Sequence, residues 1–271
     1  IPLEGGYSWD GSFDDVLGWN LQHVRRVQWQ PDLLNAFPEL LPIYAKVKKG
    51  PAFSRVHTVG QQTVDSLASC YVPRELAALP NVEPVLSQEE LGIELFASGV
   101  GNEVIDRVIT VMEQVKRLTA WYGEDHSGTR PTEHEVVAHI LVPLLKSLGW
   151  SEQSLGVEWK RVDVAVFDRT PTTENHCIAI FEAKGLGDSL KNAFAQARNY
   201  VHHLGLTNCT RIFTADGGRL IVYRRGIDGK WEENPSGYLN CSLPRKQHLI
   251  PIGSSSTQTL VDLLPGHLGR D

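Results

Sequence analysis

Residues 162–184 read VDVAVFDRTPTTENHCIAIFEAK, two apolar runs that each carry charge at a fixed phase. Side chains alternate across a strand, so in VDVAVF the residues Asp163, Ala165 and Phe167 share one face, and Val162, Val164 and Val166 share the other. In IAIFEAK, Ile178, Ile180, Glu182 and Lys184 lie opposite Ala179, Phe181 and Ala183. An acid and a base side by side at the end of an apolar run suggest a site there, because unpaired buried charges are costly. An edge strand running out into solvent would give the same pattern.

The flanking segments favour a site. In PTEHEVVAHILVPLLKSLGW, the residues Val136, Val137, Ile140, Leu141, Leu144, Leu145 and Leu148 form one helical stripe. Glu133 extends that stripe inward, whereas Glu135 falls with Ala138, His139, Val142 and Lys146 on the outer face. A dipole or capping role is the alternative for a glutamate this early in a helix, with Thr132 as a possible N-cap. His134, Glu135 and His139 have the spacing HExxxH; five residues turn the second imidazole by about 140°, which excludes the shared ligand face of a zinc HExxH helix. Downstream, SLKNAFAQARNYVHHLG sets Gln196 four residues from Tyr200, and Ala193 and Ala197 leave room for close approach to a sheet. A buried structural amide is the other reading of Gln196.

The order is helix (133–148), strands VDVAVF and IAIFEAK, helix (189–203), then strands RIFTA and RLIVYRR around DGG. That is an α/β sandwich with a mixed central sheet. RRGIDGKW reads as a hairpin and TQTLVDLL as a short final helix. Upstream, residues 1–86 mix short apolar runs with turn residues and read as a small, mostly β module. Residues 87–124 read as a helical connector: SQEELGIELF carries a capping pattern, and Val104, Val108, Val111, Val115 and Leu118 recur at helical spacing. The polar stretch GEDHSGTRP then marks a boundary, and a second domain spans 125–271.

With 271 residues and 41% hydrophobic content, the chain is long enough for two modest cores. Cys70, Cys177, Cys209 and Cys241 form no CxxC pair, which argues against a zinc knuckle or a disulfide framework and suits a reducing cytoplasm. No apolar run approaches the roughly 18 residues of a membrane span, and the first residues do not read as a signal peptide. An Ile at position 1 suits a trimmed piece of something longer. The net charge of -6 does not by itself suggest nucleic acid. Local basic clusters nevertheless occur at His23, Arg25 and Arg26 and at Lys46, Lys48, Lys49 and Arg55, where an ordinary solvated face is the alternative. If Trp19, Arg25, Arg26 and Trp29 alternate along a strand, they would line a nucleic-acid surface; core tryptophans are the competing reading.

Taken together, Thr132-Glu133, VDVAVF, FEAK, AQARNY and FTADGGRLIVYRR resemble the nuclease region at the amino end of type I restriction enzyme motor subunits and, more widely, PD-(D/E)xK nucleases of the QxxxY subgroup. The resemblance runs from about His126 to Arg225, less than half the chain. It implies a restriction-endonuclease-like αβ sandwich at 125–271 and an Mg²⁺-dependent DNA endonuclease of restriction or anti-phage defence type, with Mn²⁺ able to substitute. Asp163, Glu182, the Ala183 carbonyl and Glu133 would be the metal ligands, Lys184 the catalytic lysine, and Gln196 and Tyr200 the QxxxY pair, with Tyr200 toward nucleic acid. Val162 stands where the family name has proline. No GxxxxGK[ST] occurs, so a separate motor or specificity subunit is an implied partner, and self-association another. The alternative is a non-catalytic nucleic-acid-binding or assembly protein that keeps a nuclease-like fold.

Overall fold

The computed structural model describes residues 2–27, 81–123, 131–186 and 190–268. The chain divides into two units, one of residues 1–11 and 22–80 and the other of residues 12–21 and 81–271. In the first, β1 (Pro2–Trp9) pairs antiparallel with β2 (His23–Val27), Trp9 against His23 and Tyr7 against Arg25. This agrees with the β character expected at the start of the chain. Trp19 is not on β2: it belongs to the second unit, bridges Val16 and is 68% exposed. Trp29, Lys46, Lys48, Lys49, Arg55 and Cys70 lie outside the described residues.

The second unit is α/β. Its helices are α1 (Gln88–Ala97), α2 (Asn102–Gly123), α3, α4 (Leu190–His203) and α5 (Ser256–Asp262), where α3 joins Glu133–Val136, a π-helical stretch Val137–Leu141 and Val142–Ser147. The wide turn has a local cause. Pro143 has no N–H to give and its ring would meet the carbonyl one turn back, so the ladder opens and Val142 N–H reaches to the Val137 carbonyl. All seven residues of the expected stripe, Val136 to Leu148, are nonetheless buried.

The strands β3 (Leu155–Trp159), β4 (Val162–Phe167), β5 (Cys177–Lys184), β6 (Arg211–Asp216), β7 (Arg219–Arg224) and β8 (Gly237–Asn240) form one sheet in sequence order. β5 and β6 are parallel, joined through α4, and every other pair is antiparallel. One sheet face, with Val164, Val166, Phe181, Ala183, Phe213 and Ala215, packs against α1, α2, α3 and α5. The other, with Ala165, Phe167, Ile180 and Ile212, packs under α4, where Ala193 and Ala197 are fully buried as close approach requires. Ile178 departs from the expected alternation. The β4–β5 register slips between Val166 and Phe167, and Ile178 packs with the first face instead of with Ile180.

Helices α1 and α2 are part of this core and not a connector: Leu91, Leu95, Val108, Met112 and Val115 are all buried in it. Ser87 caps α1 in a capping box with Glu90, as SQEEL suggests. The boundary at residue 86 also needs correction. Residues 12–21 are tied to the sheet by Asp15, only 6% exposed, which accepts hydrogen bonds from Tyr238 Oη (2.7 Å) and Asn240 Nδ2 (3.0 Å). Asp14 pairs with Arg245, and the Gly18 carbonyl accepts from Arg219. No helix among the described residues is long and apolar enough to cross a membrane, and Cys177, Cys209 and Cys241 are free, buried thiols.

Candidate functional site

The β4–β5 register, Val164 against Phe181 and Ala165 against Ile180, continues to set Asp163 opposite Glu182. Directly opposed residues of an antiparallel pair share a face. Asp163 Oδ2 accepts the Ala183 N–H at 2.6 Å, and Lys184 Nζ donates to Glu182 Oε1 at 2.9 Å and to Glu133 Oε1 at 3.0 Å. The first turn of α3 therefore meets the end of β5, and Asp163, Glu182, Lys184 and Glu133 form one cluster.

Their burial differs, and the difference sets their charge. Glu182 is 2% exposed, and burial, reinforced by the neighbouring charges of Asp163 and Glu133, raises its pKa to about 7 against the pull of Lys184. Burial likewise raises Asp163, opposed by the Ala183 N–H and Lys184. Partial burial disfavours the Lys184 ammonium, but its bonds to Glu182 and Glu133 outweigh that and raise its pKa.

Glu133 is 49% exposed at its side chain, so it lies at the rim of the site and not within the core. Glu135 is not a free outer-face residue. It closes a capping box in which Thr132 Oγ1 accepts the Glu135 N–H and the Glu135 carboxylate accepts the Thr132 N–H at 2.8 Å. Those bonds lower its pKa. The two glutamates should therefore respond differently to alanine. Glu133→Ala is expected to leave the thermal midpoint near the parent's, since it removes only one of the two carboxylates that Lys184 meets. Glu135→Ala is expected to lower the thermal midpoint by removing the capping box. Equal losses of stability in both would mean that Glu133, too, serves the start of the helix.

Gln196 Nε2 donates to Tyr200 Oη at 3.0 Å on α4, so the pair forms, with Gln196 exposed and Tyr200 half-buried against the sheet. The side chains of Arg25 and Arg26 lie outside the description.

Two residues near the cluster escape a sequence reading. Continuing the β3–β4 register, Val157 against Val164, sets Glu158 opposite Asp163 on the side away from Glu182, and its charge raises Asp163 further. Glu158 breaks the apolar alternation expected of a strand, with a φ of 53°, and its carboxylate meets His134 Nδ1 at 3.1 Å. Thr214 pairs with Glu182 across the parallel β5–β6 ladder, and its buried hydroxyl has no partner among the described residues.

Among the described residues, no set of three or more His, Cys, Asp or Glu side chains is arranged to hold a metal ion. The donor chemistry still suits a hard divalent cation. Two opposed carboxylates offer only oxygen, burial raises the pKa of one of them to about 7, and an unsatisfied hydroxyl stands beside it. Compared with family models, curated proteins and solved structures, the chain matches none.

Proposed function

We propose that this chain is an Mg²⁺-dependent DNA endonuclease of restriction or anti-phage defence type, with a restriction-endonuclease-like sandwich at its centre. The observation that carries the reading is the convergence of Asp163, buried Glu182 and Lys184 at one end of the mixed sheet, with Glu133 reaching the same ammonium. Asp163 and Glu182, with the Ala183 carbonyl, would hold the cation, and Mn²⁺ could replace it. Bound there, it would supply positive charge for the phosphoryl oxygens and lower the pKa of a water. Lys184 Nζ would orient the attacking water and offset charge that develops on the phosphate. Glu133 would hold Lys184 in place, and Gln196 with Tyr200 would present a polar edge of α4 toward the strand ends.

The test is nicking of supercoiled DNA. Wild-type protein is expected to cut with Mg²⁺ or Mn²⁺ and to be silent in EDTA, and Asp163→Ala to be silent in both. A second reading, a nucleic-acid-binding or assembly protein that keeps the fold, is favoured by the ion pairs that already engage Lys184 with Glu133 and Glu182. Binding of DNA without cutting at any Mg²⁺ or Mn²⁺ concentration, with a motor or specificity partner supplied, would select it.

A further inference from the structure

The β3–β4 hairpin closes in two residues, Lys160 and Arg161, because Trp159 pairs with Val162. Such loops match the strand twist in type I′ or II′ turns, and type I′ takes positive φ at both residues, a conformation that favours Asn and Gly. Here φ is 51° at Lys160 and 75° at Arg161, and with Glu158 these make three of the four non-glycine residues in that region among the described residues. Side chains that would be easier to omit are thus held at the tip. Lys160 is engaged, ion-paired to Glu174 and set 5.0 Å from the Trp159 ring. Arg161 is exposed, and its guanidinium has no ion pair or hydrogen bond among the described residues.

Arg161 precedes Asp163 by two residues, about 7 Å along a strand. The site beside it carries the carboxylates of Glu133, Glu158, Asp163 and Glu182 against one ammonium that already serves two of them. A polyanion approaching that cluster meets net negative charge unless a cation at the rim receives it. Arginine suits the task, since its fork can engage two phosphate oxygens and it stays charged at any working pH.

We infer that Arg161, presented on the strained β3–β4 turn, grips a backbone phosphate flanking the one to be cut. This rests on the nuclease reading of the site. The contact is to the sugar-phosphate backbone, so it carries affinity without sequence preference.

The double variant Lys160→Asn/Arg161→Gly separates this role from a structural one, because it installs the residues the turn prefers. With Ca²⁺ in place of Mg²⁺ to hold cleavage off, binding of a labelled duplex is followed by anisotropy across a salt series. The variant and the single Arg161→Gly are both expected to bind roughly tenfold more weakly at moderate salt. Their log-affinity against log-salt slope should be shallower by about 0.9. The double variant's thermal midpoint should rise by about 2–4 °C. Single-turnover cleavage at saturating DNA should stay within about twofold of the parent's, since a flanking grip is made equally in ground and transition states. Unchanged affinity and slope in variants whose parent binds and cuts would overturn the proposal and leave the nuclease reading standing. A parent that neither binds nor cuts would overturn both.

Discussion

Lys184→Ala is expected to reduce single-turnover cleavage on the order of 10²-fold or more, about 3 kcal/mol of barrier, while DNA affinity stays nearly unchanged. The reason lies in what the ammonium touches. It is held between Glu182 and Glu133, only 14% exposed, and so is not free to roam the surface as a general phosphate contact. A group fixed in that way contributes when charge develops on the reacting phosphate, which is an interaction of the transition state. If the variant instead binds DNA more weakly, with a salt dependence smaller by about one charge and an unaltered rate at saturation, Lys184 is a ground-state contact and the proposed chemistry fails.

Glu182→Gln should make the protein more stable above neutral pH, by about 1–3 kcal/mol at pH 8, while abolishing cleavage. An acid whose folded pKa is raised to about 7 binds its proton more tightly when folded than when unfolded. Stability from Glu182 is thus fully present below the ordinary glutamate range near 4.5, declines as pH rises toward 7, and is absent above. Glutamine carries no such titration, so urea midpoints of the variant should lose that decline. Mg²⁺ should raise the wild-type midpoint at pH 8 and leave the variant's where it is, since binding to the folded state alone stabilises by mass action. A variant that keeps the wild-type pH profile, or that responds equally to Mg²⁺, would remove Glu182 from the metal site.

Most of the central sheet is legible in the sequence because its strands are long apolar runs. VDVAVF, IAIFEAK, RIFTA and RLIVYRR announce β4 to β7, and the alanines of α4 announce its close approach. The edge strands are not legible. In β3, Gly156 and the left-handed Glu158 interrupt the alternation, and β8 is four residues long and fully buried, so it shows no contrast between its faces. RRGIDGKW does close on itself, though only through an isolated bridge between Arg225 and Trp231. In the cluster, strand phase puts Glu182 and Lys184 on one face of β5 and the β4–β5 register brings Asp163 beside them, but the different settings of Glu133 and Glu135 depend on the N-cap of α3, where helical phase is a poor guide. Asp15 and Glu158 owe their positions to partners far along the chain or across a strand, which no local pattern records.

Residues 12–21 make the second unit discontinuous along the chain: the polypeptide enters it, departs for residues 22–80, and returns at residue 81. The first unit is split in turn, since β1 before residues 12–21 pairs with β2 after them, so no single cut at residue 86 separates the two units. A truncated chain beginning there would leave the Tyr238 hydroxyl and the Asn240 amide, both buried, without the carboxylate that Asp15 provides.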